Sequence, residues 1–437
     1  MLLLFHLPTL ISIVLIVLIA LLTLLGIMVR PYKSNEALIA LAGAALLLLL
    51  GLISPLDALW TLLREWNTFF FFLGMMSISA LVEQAGLFDW LAVQAARRAR
   101  NRASLLYLNI FLLGTLITLV LSNDATALIL TPIVYILVTK LHLPVLPFLF
   151  ACTFIADTAS FLLPVSNPIN IIITSQLPLD LFTFLKLLFL PALLVIGINI
   201  GMFFWLYRDQ LHGRFDAKQL PSPEESIRHP LYFRYTCVIL LLTVVAYVLA
   251  SAFSLPLSAV ASGSAGLLCA GALYWKQATF RDVSKRISWS IFGFIAGMFI
   301  IVQAIEGSGL MTRFGALLLA LAGNSPLGAV LVGTAGAALG TNLINNVPMA
   351  VVLTSALHTL QHAPLNVQQG FIAASMFGCD LGPNVTIVGS LATFLWLLIL
   401  RQRNVEVSGL DYFKIGVIVT PLMLLVGAFA IWLLLVS

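Results

Sequence analysis

The sequence predicts an all-α membrane protein with about ten transmembrane helices in two inverted-topology repeats, and three observations support this fold class. Of the 437 residues, 61% are hydrophobic and only 9% are charged. Apolar segments of about 20 residues, the length that crosses a bilayer, recur along the chain. Polar and aromatic residues also recur at a constant spacing of 223 positions. A soluble domain would need many more charged residues on its surface, so the composition excludes an ordinary cytosolic enzyme, a disordered protein and a nucleic-acid-binding module.

Two kinds of apolar segment can be distinguished. The predicted crossings are 9–29, 36–53, 66–82, 146–175, 184–207, 233–253, 257–275, 287–305, 367–397 and 411–434. Segments 104–139 and 327–360 are too long for one helix and contain polar residues in their middle, which predicts a re-entrant hairpin for each. Irregular backbone at membrane depth persists only where protein or water satisfies its peptide groups.

The basic residues predict the orientation. If both termini face outside, nineteen Lys and Arg residues fall on the inner side and three, Arg64, Lys186 and Arg313, fall on the outer side. Loops that stay in the cytoplasm carry such an excess of positive charge. The N-terminus has no basic region or small-residue cleavage site before segment 9–29, which therefore reads as a retained span.

The constant spacing predicts the domain organisation. The matched residues include Trp66 with Trp289, Gly74 with Gly297, Glu83 with Glu306, Asn123 with Asn346 and Asp157 with Asp380. The predicted repeats are 1–207 and 233–437, joined by a polar cytoplasmic linker, 208–232. Each repeat has five crossings, an odd number, so the second starts on the opposite side of the membrane. Inverted repeats are typical of secondary transporters, with the binding site near the midplane where the repeats meet.

Residues that break helices fall inside two of the predicted crossings. Pro164 and Pro168 lie in segment 146–175, and Gly382 and Pro383 lie in segment 367–397. Proline lacks an N–H and clashes with the preceding turn, and glycine gives the backbone freedom. We therefore expect two broken helices whose free ends offer partial charges to a substrate. The alternative is a purely structural kink.

Three acids are expected deep in the bilayer: Asp124, Asp157 and Asp380. A carboxylate at that depth is costly unless it is paired, solvated or protonated, so these residues are predicted to couple transport to protons. Asp157 and Asp380 are repeat mates, whereas Asp124 corresponds to Val347 and breaks the symmetry. The competing interpretation is that each acid caps a half-helix.

The predicted substrate-binding residues supply amides and hydroxyls at the hairpin tips and helix breaks. They are Asn123, Asn346, Asn345, Thr126, Asn167, Ser166, Asn384 and Thr386, and Ser390 lies in the same clusters without an assigned role. The four cysteines and the histidines show no ligand spacing, so neither a metal site nor a cofactor is predicted. Cys152 and Cys379 lie beside the breaks, where a small buried apolar role competes with contact to a thiophilic substrate.

Three segments resemble those of bacterial ArsB arsenite efflux permeases, which belong to the ion-transporter superfamily. They are SNDATALILTPI, FIADTASFLLPVSNPINII and GCDLGPNVTIVGSLATFLW. The resemblance implies export of trivalent arsenic and antimony, As(III) and Sb(III), across the bacterial inner membrane, driven by proton entry or membrane potential. It also implies an elevator-like mechanism and, in some members, association with a cytosolic ATPase. Many relatives carry Lys where this chain has Asn384, so the coupling could differ here.

Several alternatives remain open at this stage. The neutral triol As(OH)3 suits a site of amides and hydroxyls, whereas a dicarboxylate would need a cation, and no Arg or Lys falls in the clusters. A sodium/proton antiporter, a carboxylate symporter and a passive channel for small neutral solutes are the rivals. A homodimer is compatible with all of them. An enzyme is disfavoured because there is no nucleotide-binding loop of the GxxxxGK[ST] kind.

Overall fold

A computed structural model describes residues 9–29, 35–176, 179–217, 220, 222–253, 255–357, 360, 362–387 and 389–437. Its first half contains α1 (Thr9–Val29), α2 (Glu36–Leu49), α3 (Pro55–Arg64), α4 (Trp66–Ala85), α5 (Leu87–Arg98), α6 (Ala103–Val120), α7 (Asn123–Ala125), α8 (Thr131–Lys140), α9 (Val145–Thr158), α10 (Pro168–Gln176) and α11 (Leu181–Leu206). The second half contains α12 (Pro230–Ala252), α13 (Leu257–Tyr274), α14 (Phe280–Arg286), α15 (Trp289–Gly307), α16 (Leu310–Ala322), α17 (Pro326–Ile344), α18 (Asn346–Leu357), α19 (Leu365–Leu381), α20 (Leu391–Gln402) and α21 (Gly409–Val436).

The all-α membrane fold is confirmed. Within the described residues, nine helices are long and apolar enough to cross a membrane: α1, α4, α6, α11, α12, α13, α15, α17 and α21. Seven of these coincide with predicted crossings, and the other two, α6 and α17, are the first limbs of the predicted hairpins. The predicted crossing 36–53 is the shorter helix α2, and the predicted crossings 146–175 and 367–397 are each divided into two helices.

Four helices, α3, α5, α14 and α16, lie outside every predicted crossing and hairpin. Each has at most 13 residues, which is shorter than the roughly 20 apolar residues that cross a bilayer. Local caps begin two of them. The Ser54 hydroxyl accepts a hydrogen bond from the Asp57 N–H, and Thr279 and Asp282 form a reciprocal capping box. Such signals are polar and local, and a search for long apolar segments passes over them.

The two halves exchange packing partners. Helix α2 packs against α15, and α13 packs against α4. A glycine permits each close approach, because a Cβ on Gly74 would lie 2.6 Å from the Ala261 carbonyl carbon and one on Gly297 would lie 2.6 Å from that of Ala40. Small residues let membrane helices approach closely where lipid offers no hydrophobic driving force.

Both hairpins turn at polar residues. The first breaks at Leu121 and Ser122, and the Ser122 hydroxyl then accepts the Ala125 N–H to start α7. A π-helical turn, Thr126–Leu130, follows directly. In the second, Asn345 separates α17 from α18 with φ 75° and ψ 157°. That conformation is nearly restricted to glycine and costs on the order of 1–3 kcal/mol; such strain is typical of functional sites.

Neither broken helix is continuous. Helix α9 ends at Thr158 and α10 begins at Pro168, with a 3-10 turn, Pro164–Ser166, between them. Helix α19 ends at Leu381, a 3-10 turn follows at Gly382–Val385, and α20 begins at Leu391. The four residues predicted to break the helices, Pro164, Pro168, Gly382 and Pro383, all lie at these interruptions. Each break leaves one helix C-terminus and one helix N-terminus inside the protein.

Candidate substrate and ion-coupling site

Two aspartates lie at the C-terminal ends of α9 and α19, where the two broken helices are interrupted inside the protein. Asp157 is in the last turn of α9 and Asp380 in the last turn of α19, and both are fully buried. A helix C-terminus carries partial negative charge, so its own helix does not stabilise a carboxylate there. Each acid therefore needs hydrogen-bond donors from elsewhere in the protein.

Asp157 receives three donors. The Ser390 hydroxyl and the Asn123 amide donate to its Oδ1 over 3.0 and 3.2 Å, and the Thr393 hydroxyl donates to its Oδ2 over 3.2 Å. Ser390 is also the N-cap of α20, where its hydroxyl accepts the Ala392 N–H. Asp157 thus faces the positive end of a helix from the other half of the chain.

Asp380 is bound in the same way, by a helix-capping residue from the first half of the chain. The Asn167 amide donates to Asp380 Oδ1, while the Asn167 side-chain oxygen accepts the Ile169 N–H at the start of α10. Asn167 and Ser390 are 223 positions apart. Each aspartate is therefore bound by the residue that caps the second helix of the opposite break. We call these contacts the crosswise bonds.

The two acids are not equivalent. Among the described residues, Asp380 Oδ2 accepts no hydrogen bond of normal geometry, and Asn346 Oδ1 also has no partner. Asn346 is the mate of Asn123, which does donate to Asp157. Buried polar atoms without partners are uncommon and costly. These two oxygens therefore lack a donor among the described residues, and Asn346 in addition borders a cavity.

A small cavity of about 10 Å³ lies where the hairpin tips and the first break meet. Its polar lining comes from Asn123, Asp124, Asn167 and Asn346, and its apolar lining includes residues of α4 and α15. A void of this size holds about one water molecule. The structure thus brings three of the predicted substrate residues to one point beside the predicted acid Asp124.

A larger cavity of about 360 Å³ adjoins it, because Phe72, Asp124, Pro168 and Ile291 line both. We call it the access cavity. Asp124 and Ser122 lie at its inner end, and Glu83, Lys285 and Arg286 also line it. Glu83 and Arg286 form an ion pair of 2.7 Å with both side chains about 40% exposed, so this pair lies at an open edge of the cavity.

Asp124 is partly exposed at the inner end of the access cavity. Its N–H donates to Asn123 Oδ1 over 2.9 Å. No hydrogen bond or ion pair joins its carboxylate to another described side chain. Of the three acids, Asp124 is the one that a solute in the access cavity can touch.

The other predicted substrate residues line neither cavity and are hydrogen-bonded within the protein, Asn384 to the opposite half of the chain. Thr126 bonds Thr118, Ser166 donates to the Leu119 carbonyl, Asn384 donates to Thr158, Thr386 donates to Asn342, and Asn345 accepts the Val347 N–H. Cys152 and Cys379 are buried and free and also lie outside both cavities. The described residues include no group of three or more metal-ligating side chains.

Sequence reasoning named Ser390 without a role and missed Thr393. The Thr393 hydroxyl also contacts the Tyr412 hydroxyl at 3.3 Å, which extends the polar network to α21. The repeat spacing contains the signal that could have found these residues. Ser390 and Thr393 lie 223 positions after Asn167 and Asn170, so polar residues recur at both positions even though their identities differ.

Comparison with known proteins identifies the family. The model of the ArsB family, described as arsenical pump membrane protein, matches residues 15–435. An arsenical pump membrane protein of Escherichia coli strain K12 is 32% identical over 387 residues, covering 87% of this chain and 89% of that protein. Another, from Yersinia enterocolitica, is 31% identical and covers 86% and 88%.

A solved structure shows the same fold at low sequence identity. The YdaH transporter of Alcanivorax borkumensis, whose structure is described as having an unusual topology, is 13% identical with a TM-score of 0.55 and covers 83% of this chain and 84% of that one. At this identity the likeness concerns the fold alone. The match to the family model and the identity with the curated relatives show that this chain belongs to the ArsB family of arsenical pump membrane proteins.

Proposed function

We propose that this protein exports As(III) and Sb(III) hydroxides across the inner membrane of a bacterium, driven by proton entry. The names of its curated relatives support the substrate. The observation that carries the coupling is the pair of crosswise bonds, in which each buried aspartate is held by the helix cap of the opposite break.

The substrate chemistry suits the polar centre. As(OH)3 is a neutral triol, so it needs donors and acceptors at short range and no fixed charge. The amides of Asn123, Asn167 and Asn346 line the small cavity, which has room for about one water molecule and must widen to admit As(OH)3, and Asn346 Oδ1 lacks a donor. An O–H group of the substrate can supply one. No Arg or Lys lines this cavity, which disfavours a dicarboxylate.

Protonation of Asp380 offers a way to couple proton entry to As(III) export. The Asn167 amide donates a hydrogen bond to the carboxylate of Asp380. A proton on Asp380 neutralises that carboxylate, and a neutral hydrogen bond is roughly half as strong as one to a charged group. The crosswise bond between α19 and the start of α10 then weakens. The hairpins and broken helices move as one transport unit past α4 and α15, in an elevator-like step.

The access cavity supplies the route from the cytoplasm. Its opening carries Lys285 and Arg286, and basic residues mark the cytoplasmic side of membrane proteins. Asp124 lies at its inner end and contacts the substrate or the proton first. Its mate in the other half is Val347, so the reverse conformation has no acid at that point. This difference favours proton delivery on one side only.

The test is As(III) flux in proteoliposomes with pH gradient, sodium gradient and voltage varied separately. We expect flux that follows the proton gradient and is lost in Asp380→Asn, while the matched control Glu224→Gln, an exposed acid of the linker, transports normally. Sodium-dependent proton movement without arsenite would favour an antiporter instead. Uptake of succinate or citrate would favour a carboxylate symporter, and flux that ignores both pH and voltage would favour a channel.

Association with a separate cytosolic ATPase remains part of the proposal. The inner-face segments around 97–102 and 208–232 are the surfaces that such a subunit could contact. Copurification from cells that express both proteins, with and without arsenite, tests this association, and the same preparations report whether the chain is a homodimer.

A further inference from the structure

We propose that a groove between the start of α6 and the end of α11 binds the phosphate group of an anionic phospholipid. The groove has a volume of about 360 Å³. Its lining includes three arginines, Arg102, Arg208 and Arg214, together with Ser104, Phe204 and Leu211. It is separate from both cavities of the transport site.

Backbone pairing forces two of the arginines together. The Ala103 N–H donates to the Gly213 carbonyl over 3.0 Å, and the Phe215 N–H donates to the Asn101 carbonyl over 3.1 Å. These bonds flank an isolated antiparallel bridge between Arg102 and Arg214. Residues between two such bonds form a non-hydrogen-bonded pair, in which the side chains lie on the same face and closest together.

The two guanidinium groups repel each other, although both side chains are exposed and solvent screens part of the repulsion. Like charges directly opposite each other destabilise an antiparallel pair. No Asp or Glu lines the groove among the described residues. The nearest described ion pair, between Arg208 and Asp209, is 3.7 Å long with both side chains largely exposed, so it neutralises little. An anion in the groove would relieve the repulsion.

The helix geometry adds to the positive potential. Arg102 is the N-cap residue of α6, and its side chain forms no capping bond, although the first N–H of the helix, that of Ala103, is bonded to the Gly213 carbonyl. An uncapped helix N-terminus carries partial positive charge and offers N–H groups to an anion. The groove therefore combines three guanidinium groups with one helix N-terminus that lacks a side-chain cap.

The position of the groove at the ends of two membrane-length helices favours a lipid phosphate over a dissolved one. The groove lies where two apolar membrane-length helices, α6 and α11, begin and end. Trp205, 60% exposed, and Tyr207 lie at the same end of α11, and such aromatic residues mark the membrane–water interface. Phe204 and the buried Leu211 give the groove an apolar wall for an acyl chain. Basic pockets between transmembrane helices on the cytoplasmic side are typical sites for anionic headgroups.

The experiment compares the full-length protein in nanodiscs of phosphatidylcholine with and without phosphatidylglycerol. We expect the anionic lipid to raise Tm by at least about 2 °C and Arg102→Gln or Arg214→Gln to weaken lipid binding about fivefold each. In phosphatidylcholine alone, either variant should be at least as stable as the wild type, because it removes the like-charge pair. Arg281→Gln, an exposed arginine of α14, is the matched control.

Two results would overturn the proposal. If inorganic phosphate in phosphatidylcholine nanodiscs raises Tm as much as phosphatidylglycerol does, the lipid is not the source of the anion. If Arg102→Gln and Arg214→Gln respond to phosphatidylglycerol as Arg281→Gln does, the groove is not the binding site. Lipids retained by each variant, counted by native mass spectrometry, give the same answer without a dependence on stability.

Discussion

Replacing Thr393 by valine removes the donor to one oxygen of Asp157, together with the longer contacts of the same hydroxyl to Tyr412 and Thr153. The two side chains are nearly the same size, so the change removes the hydroxyl with little repacking. Among the described residues, Thr393 is the donor that reaches Asp157 Oδ2, whereas Oδ1 has two donors. Thr393→Val therefore leaves one carboxylate oxygen buried without a partner.

The cost follows from the kind of bond that is lost. A hydrogen bond to a charged group contributes about 1.5–3 kcal/mol to stability. For a protein of moderate size, each kcal/mol lowers Tm by about 2–4 °C, so we expect Thr393→Val to lower Tm by about 3 °C or more. Although Asn123 still donates to the same oxygen, Ser390→Ala should lower Tm at least as much, because the N-cap of α20 is lost as well. Thermal unfolding of the purified protein in one detergent measures both.

A matched control and a double mutant make the prediction specific. Thr420 is also fully buried, but its hydroxyl has no hydrogen-bond partner among the described residues. Thr420→Val should be neutral or stabilising. The effects of Thr393→Val and Asp157→Asn should be non-additive, since they remove the same bond. Equal Tm losses in Thr393→Val and Thr420→Val, or full additivity with Asp157→Asn, would refute the reasoning.

Three further predictions test other parts of the molecule. Ser79 lies in the wall of the access cavity. In a background without the two partly exposed native cysteines, Ser79→Cys should react with a membrane-impermeant thiol reagent from the cytoplasmic side. Its repeat mate Val302 is buried, so Val302→Cys should not react in the same conformation. Gly74→Ala should destabilise the protein by about 1–3 kcal/mol because its Cβ meets backbone, whereas Gly263→Ala, with open space around it, should not. The side-chain and backbone hydrogen bonds at the N-cap of α14 hold the pKa of Asp282 below its ordinary value of 3.8. Its contribution is therefore complete above that value and is lost as the pH falls through the lowered pKa, so hydrogen exchange of α14, corrected for intrinsic rates, should rise only below about pH 4. Labelling of Ser79→Cys from the outside alone, equal stability of the two glycine variants, or loosening of α14 near neutral pH would contradict the respective prediction.

Long apolar segments were predictable from the sequence because lipid imposes a minimum length on a spanning helix. The bounds of α1, α13 and α21 lie within two residues of their predicted ends. The breaks after Thr158 and Leu381 were also predictable, since proline and glycine act through local backbone geometry. Short helices such as α3 were not, because their signals lie in single caps.

The candidate site was only partly predictable. The sequence identified Asn123, Asn167 and Asn346 as polar groups at breaks in the backbone, and the structure gathers them around one cavity. It could not predict which donor binds which acid. The crosswise bonds join residues more than 200 positions apart, and their pairing depends on how the two halves pack. The groove at Arg102 and Arg214 likewise depends on a backbone pairing that no local pattern encodes.

The proposed proton coupling is tested most directly by replacing the charged side chain of Asp380 with a neutral one and measuring As(III) flux under a controlled proton gradient. Proteoliposomes that contain wild-type protein or Asp380→Asn are loaded with As(III), and flux is followed with voltage clamped and sodium absent. We predict that an imposed pH gradient drives As(III) movement in the wild type and has no effect on the variant, although the variant is folded and inserted. Equal pH-driven flux in both proteins would contradict the claim that the buried aspartates couple the proton to the substrate.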